Sequence, residues 1–500
     1  MTRRTVAVIG GGPAGLFAAR LIKRNDPTID VTVYERNGRD TATFGFGVGL
    51  TEATMVNLRR ADPETADGIR AISRSGHDLK LRQVFDDVPH DVTLHGARNL
   101  AVGRAELLAV LDRAARAAGV RVEHGSRVAA VDLDADVVIA ADGVRSATRA
   151  SVADDVGVHE SIGRGRYMWC GIDVAIPDAF FSARRQGEAL FVAHAYPYSA
   201  DHSTFLLEAD ETTWEAAGLA EFDAGTRPGE TDVRSIALLE HVFAEDLQHR
   251  PLLGNRSRWA RFSTMGLDRW SAGNIVFLGD AAHTAHYTLG SGTKLALEDA
   301  IAVERALREC GDLEEAFAAY ETARRPAVER FKQLAGRSQR WWESYRLRAD
   351  QPAALLALSY MTRAGNLTVA DFARTEPQTA AAALRRLGAE PPSDPDALDD
   401  WILAAAATGP NDAPQHRITW SDADVWGACA DRAVGGIPVG AEAVLDGSDD
   451  PVAVGARIDL ADRIGLTTDR RTTVRLPESA RAAAAAAVAT DRCDAVDLRP

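Results

Sequence analysis

The chain reads as an α/β protein: a dinucleotide-type parallel sheet, split in sequence by an inserted antiparallel sheet and followed by a C-terminal extension. Three observations predict it. The apolar run of residues 5–9 meets the turn Gly10-Gly11-Gly12-Pro13-Ala14-Gly15, then an apolar-periodic stretch and a second strand-like run ending on Glu35. From about residue 163 the texture changes to alternating strands. A buried strand-like run at residues 274–278 then restores the first pattern and ends in Gly279-Asp280-Ala281-Ala282-His283.

Strand, glycine turn, helix, strand and acid together make a complete dinucleotide fingerprint. Gly10 permits the tight turn, Gly12 lets the backbone approach a pyrophosphate, and Gly15 lets the helix pack close to the strand. Pro13 and Ala14 open that helix, whose N-terminal N–H groups and dipole favour phosphate. Glu35 is placed to bind a ribose hydroxyl pair and would repel a 2′-phosphate, which argues against NADP as the resident nucleotide. Arg36 and Val128 join the cofactor-binding candidates.

Residues 103–118 have helical apolar spacing, with Arg104 in the first turn, where a cation opposes the dipole and suits a bound anion or a solvated surface. Short β-branched runs at 120–123, 128–132 and 137–140 end in Asp142-Gly143. Antiparallel strands are expected at 167–176, 189–196 and 203–208, and a helix at 295–308. Two helices are expected between 313 and 345, with Trp341 and Trp342 as packing residues. The alanine run 482–487 is helix-forming. The expected domains are 1–160 and 263–375 for the two parts of the nucleotide-binding domain with its following helices, 161–262 for the substrate domain, and 376–500 for an extension of open role.

Five hundred residues exceed one ordinary core, and 46% hydrophobic content supports well-buried domains. A net charge of -15 argues against nucleic acid and anionic membrane partners. No apolar run approaches the roughly 18 residues of a membrane span, and the start leads directly into a strand, so a soluble cytoplasmic protein is expected. The four cysteines form no C-x-x-C pair, so neither a disulfide framework nor a zinc site is expected.

The later motifs carry the chemistry. Asp280, at a strand end, can accept hydrogen bonds from the ribityl hydroxyls of a flavin. The glycines of Gly290-Ser291-Gly292 let backbone N–H groups approach the isoalloxazine edge, where negative charge collects on reduction. Thr293 and Lys294 follow in the same cofactor loop, Lys294 either balancing that charge or tying the loop down. His286 and Tyr287 are the candidate catalytic residues, since both types transfer protons, while His283 lies within the cofactor signature. Arg164, Arg166, Arg184 and Arg185 are available cations for the phosphates of a thioester carrier.

The glycine turn, the segment Asp142-Gly143-Val144-Arg145-Ser146-Ala147-Thr148-Arg149 and the segment from Gly279 to His283 resemble the three signatures of the group A, p-hydroxybenzoate hydroxylase-like flavoprotein monooxygenases. The finer resemblance is to the salicylyl-CoA 5-hydroxylase and 2-aminobenzoyl-CoA monooxygenase branch. It rests on His194-Ala195-Tyr196-Pro197-Tyr198, Glu211-Thr212-Thr213-Trp214, His283-Thr284-Ala285-His286-Tyr287 and Gly290-Ser291-Gly292-Thr293-Lys294-Leu295-Ala296. Tyr287 and Lys294 stand where most of the wider family carries proline and asparagine, and both fit this branch.

The resemblance implies a Rossmann-like FAD-binding domain of the glutathione-reductase type, FAD as cofactor and NAD(P)H as a transient reductant. It further implies a flavin C4a-(hydro)peroxide formed with O₂, and a cyclic acyl-CoA as substrate. A flavoprotein dioxygenase of tropone and tropolone biosynthesis resembles the same branch, and a non-oxygenating flavoprotein or redox sensor is the more remote alternative. A halogenase is disfavoured because no W-x-W-x-I-P element is present. A fused reductase barrel needs on the order of 250 residues, so residues 491–496, which resemble the end of one, imply at most a shortened remnant.

Overall fold

The computed structural model describes residues 4–38, 46–85, 88–95, 99–290, 292–406 and 413–500. It falls into two compact units, residues 1–79 with 97–335, and residues 80–96 with 336–500.

The first unit holds a six-stranded sheet in the order Ser271–Ala272, Ile275–Phe277, Val137–Ala140, Thr5–Ile9, Asp30–Glu35, Arg121–His124. All neighbours are parallel except the first pair. The segment after residue 270 therefore returns to the sheet begun by residue 5, so one nucleotide-binding layer is built from sequence separated by the insert. Helices Pro13–Asn25, Arg104–Ala117 and Gly292–Glu309 bury their apolar stripes in one continuous core with Val8, Val33, Ile139 and Phe277.

The run 128–132 is not a strand. Ala130–Asp132 forms a single 3-10 turn, and half-buried Val128 packs beside Ile9, Ala130 and Val138. Val128 and Val131, the β-branched residues of this run, are compatible with a strand but find no strand to pair with.

The inserted part is antiparallel, as its alternation predicts. Val158–Ile172, Ser203–Ala209, Ala189–Pro197 and Ala179–Gln186 are successive neighbours, and Ala260–Leu267 adds to the other side of Val158–Ile172. The register sorts the side chains by face. Met168, Cys170, Phe191, Ala193, Phe205 and Leu207 point to one side and form a buried core with Leu219, Leu239 and Phe243 from the covering helices. Burial of each large apolar side chain there contributes roughly 1.5–3 kcal/mol. Tyr167, Trp169, Leu206, Glu208, Val192 and His194 occupy the alternate positions and so share the opposite face.

Two helices were expected between 313 and 345, but Leu313–Glu343 is continuous with Pro326 inside it. Proline removes one amide donor and costs about 3 kcal/mol in a helix interior. Burial of Phe317, Tyr320 and Val328 on either side of it offsets that cost.

In the second unit, Gln415–Thr419, Glu442–Asp446, Thr472–Pro477 and Ala495–Arg499 form a parallel sheet in sequence order, linked by helices Ala428–Gly435, Pro451–Thr467 and Arg481–Ala489. This singly wound order is the one found in β/α barrels. Asp459 lies buried against Arg337, Arg340 and Arg492, whose charges outweigh burial and hold its carboxyl well below the usual range. Trp341 and Trp342 are packing residues, with Trp341 Nε1 donating to Ser359 Oγ at 2.9 Å. No helix among the described residues is long and apolar enough to cross a membrane.

Candidate active site

The glycine turn is tight for steric reasons. Gly10 has φ +110°, and a Cβ there would lie 2.2 Å from the Ala141 carbonyl oxygen; one on Gly15 would lie 2.1 Å from that of Gly10. A Cβ on Gly12 would meet nothing within 4 Å, although Gly12 caps the helix opened by Pro13 and Ala14. The start of that helix therefore faces open space, as a pyrophosphate requires. Glu35 accepts from Gly11 N at 2.8 Å through Oε2 and from Asn37 N at 2.8 Å through Oε1, so its carboxylate is fixed beside the turn. Arg36 next to it is exposed.

The second motif closes on the third. Asp142 Oδ2 accepts from Thr148 N and Oγ1, both at 3.1 Å, while its buried Oδ1 has no donor among the described residues. Gly143 has φ +81°. Arg149 Nη1 donates to Ala281 O at 3.0 Å and Nη2 to Val144 O at 2.6 Å, clamping the two motifs together.

Gly279, at φ +56°, lies so close to Ala296 and Ala14 that an added Cβ would meet their Cβ atoms at 3.2 and 3.4 Å. Motifs more than 260 residues apart thus meet at one point. Asp280 remains open to solvent although protein surrounds it, as on the wall of a recess. That crowding pushes its carboxyl above the usual range, against the pull of Arg104, His283 and Arg149. Arg104, the half-buried first residue of its helix, is thus near enough to the third motif to act on Asp280 through its charge.

His283 is buried and structural. Its Nε2 lies 2.8 Å from Asp299 Oδ2, which also accepts from Gly279 N at 3.0 Å, while Asp299 Oδ1 accepts from Arg324 Nε at 2.9 Å. Burial alone would raise the Asp299 carboxyl; His283 and Arg324 outweigh it and hold the pKa down. Gly290 has φ +63°, and Gly292, Thr293 and Lys294 begin the next helix. Lys294 places its ammonium 5.1 Å from the Phe331 ring centre. Ser291 lies outside the described residues.

Tyr287 points to the open face of the antiparallel sheet. Its hydroxyl donates to Glu208 Oε1 at 2.6 Å, and its ring lies 5.0 Å from Tyr167, 5.7 Å from Trp169 and 5.8 Å from Phe262. His286 is buried, 4.9 Å from Phe262 and 4.2 Å from Tyr287. His194 Nε2 lies 3.4 Å from Glu208 Oε1. The result is a wall of aromatic rings around one part-buried carboxylate, beside the loop that carries Asp280.

Neither Glu208 nor the rings of Tyr167, Trp169 and Phe262 belongs to a contiguous motif. Their signal in the sequence is the two-residue alternation of their strands, which separates the faces without saying which one meets the third motif. Among the four expected arginines, Arg184 and Arg166 have carboxylate partners within the protein. Arg184 Nε donates to buried Asp246 at 2.8 Å, while Arg166 pairs with Glu211 and stacks its guanidinium 4.1 Å from the Trp214 ring centre.

Comparison with known proteins places this geometry. A family model described as "FAD binding domain" matches residues 3–335. Salicyloyl-CoA 5-hydroxylase of a Streptomyces species is 38% identical over 384 residues, 74% of this chain and 72% of that protein. The 3-hydroxy-4-methyl-anthranilyl-[aryl-carrier protein] 5-monooxygenase of Streptosporangium sibiricum is 38% identical over 368 residues, 74% of this chain and 96% of its own length. In fold, the chain is similar to the solved tetrameric form of 2-methyl-3-hydroxypyridine-5-carboxylic acid oxygenase, with a TM-score of 0.53 at 21% identity, covering 75% of this chain and 98% of that one.

Proposed function

As a member of the FAD-binding-domain family the chain is an FAD-dependent monooxygenase, and we propose that it oxidises an aromatic or related cyclic ring presented as a thioester of CoA or of a carrier protein. The observation that carries this reading is the ring-lined sheet face with Glu208 at its centre, joined to 38% identity with two oxygenases named for thioester-linked aryl substrates. Flat apolar walls suit a ring, and a part-buried acid disfavours a free ring carboxylate.

The residues fit the cofactor. The open helix start at Gly12 would take the pyrophosphate, fixed Glu35 a ribose, and Asp280 the ribityl hydroxyls. The unsatisfied Asp142 Oδ1 supplies a further acceptor. When bound, FAD accepts electrons from NAD(P)H and delivers oxygen from O₂ to the ring, chemistry that belongs to the cofactor. The protein contributes orientation and exclusion of water. Phe262, Tyr167 and Trp169 would hold the ring and keep the pocket dry, and Tyr287, anchored by Glu208, would present its hydroxyl at a fixed point.

The test is mass spectrometry of products formed under ¹⁸O₂ with NAD(P)H and benzoyl-, salicylyl- and related cyclic acyl-CoAs, each beside its free acid. One labelled oxygen in a thioester product is expected. Two labels would extend the reaction to insertion of both oxygen atoms, and label in free-acid products alone would refute the thioester reading.

A further inference from the structure

Glu208 stands out within the candidate pocket because it is an acid on a wall otherwise built from rings. Its two recorded contacts both use Oε1: Tyr287 Oη donates at 2.6 Å and His194 Nε2 lies at 3.4 Å. Oε2 has no donor among the described residues, and the side chain keeps 14% of its surface open. Burial alone would raise its carboxyl pKa, yet His194, the Tyr287 hydroxyl and His286 outweigh it and leave the group below the usual range. The acid is thus ionised at neutral pH.

An ionised carboxylate offers about four acceptor positions, and leaving them unmet out of water is costly. Tyr167, Trp169, Phe262 and His286 pack their rings around Tyr287, none of them is hydrogen-bonded to Glu208 among the described residues, and the buried Trp169 Nε1 has no acceptor there. Oε2 is therefore open to a donor on what enters the pocket.

We propose that Glu208 Oε2 accepts a hydrogen bond from a hydroxyl or amino group on the substrate ring, so that Glu208 selects a donor-bearing, uncharged thioester over both the unsubstituted ring and the free ring acid. This rests on the thioester reading above and narrows it to one ring chemistry. Selection has an attractive and a repulsive part. A hydrogen bond to a charged acceptor is lost when the ring lacks a donor, and a second carboxylate is repelled when the acid is free.

The test is calorimetric binding of salicylyl-CoA, benzoyl-CoA and salicylate to the FAD-loaded enzyme, repeated with Glu208→Gln and Glu208→Asp. The wild type is expected to bind salicylyl-CoA about 10- to 100-fold more tightly than benzoyl-CoA, the scale of one charged hydrogen bond. Glu208→Gln, which keeps an acceptor but loses the charge, should narrow that ratio to about 3-fold or less and tighten salicylate about 10-fold. Glu208→Asp should keep the discrimination against salicylate. If Glu208→Gln loses FAD, the wild-type ratios and the Asp variant still decide.

Equal wild-type affinity for salicylyl-CoA and benzoyl-CoA would overturn the Glu208 assignment and leave the thioester reading standing. Salicylate binding as tightly as its thioester would overturn both. Unchanged ratios in FAD-loaded Glu208→Gln would also remove Glu208 from substrate selection.

Discussion

Asp299 shows how one buried group can hold a loop in register. It receives Gly279 N, His283 and Arg324, three segments that the third motif needs in register. Its folded pKa is depressed, so its stabilisation is fully present above the unfolded value of about 3.9 and is lost as pH falls through the folded value. Asp299→Asn leaves buried Arg324 with Glu298 as its remaining charge partner and should cost up to about 3–5 kcal/mol at pH 7. Thermal melts should show the gap to wild type closing below about pH 4. A gap independent of pH would mean that packing, and not charge, carries the effect. At this scale the motif residues were legible: Gly10, Gly15, Glu35, Asp142 and Asp280 stand in short contiguous patterns, because phosphate and ribose recognition depends on one turn and one strand end. Asp299 and Arg149 were not, since each acts on a partner distant in sequence.

Among the elements, the inserted sheet carries the division of labour. One face packs Phe191, Phe205 and Leu207 at full burial, and the other carries Tyr167, Trp169, Glu208 and His194. Phe205→Ala should therefore destabilise by about 3–5 kcal/mol through the cavity it leaves. The bound FAD spectrum and the preference between thioester and free acid should stay as in wild type. Urea denaturation beside substrate binding checks this, and an altered preference would show that the two faces are coupled. Two readings failed at this scale. Residues 128–132, read as a short β-branched run, hold a 3-10 turn, and the two helices expected between 313 and 345 are one, kept whole by packing on both sides of Pro326. Local pattern reports propensity, and neither pairing nor packing is local.

For the whole molecule, the cofactor site proposed for the first unit draws on residues 10–15, 35, 104, 142, 279–290 and 292–294, and bringing these segments together needs the complete fold around the insert. FAD should accordingly stabilise the folded chain by mass action, by about 2.7 kcal/mol at a free concentration 100 times its Kd. Differential scanning fluorimetry of apoprotein titrated with FAD should give a Tm that keeps rising with the logarithm of FAD. A Tm unmoved by FAD would contradict assembly of the site in the native state.

The sequence by itself determined the α/β class, the split nucleotide-binding layer, the antiparallel insert and the phosphate-binding turn. Each follows from local periodicity or from steric limits that a few adjacent residues must obey. Tertiary structure alone decided which face of the insert meets the third motif. It thereby placed Glu208 among Tyr167, Trp169, Phe262 and Tyr287. The physical reason is register: alternation sorts side chains into two faces, but only pairing between strands far apart in sequence aligns those faces and turns one of them toward the site.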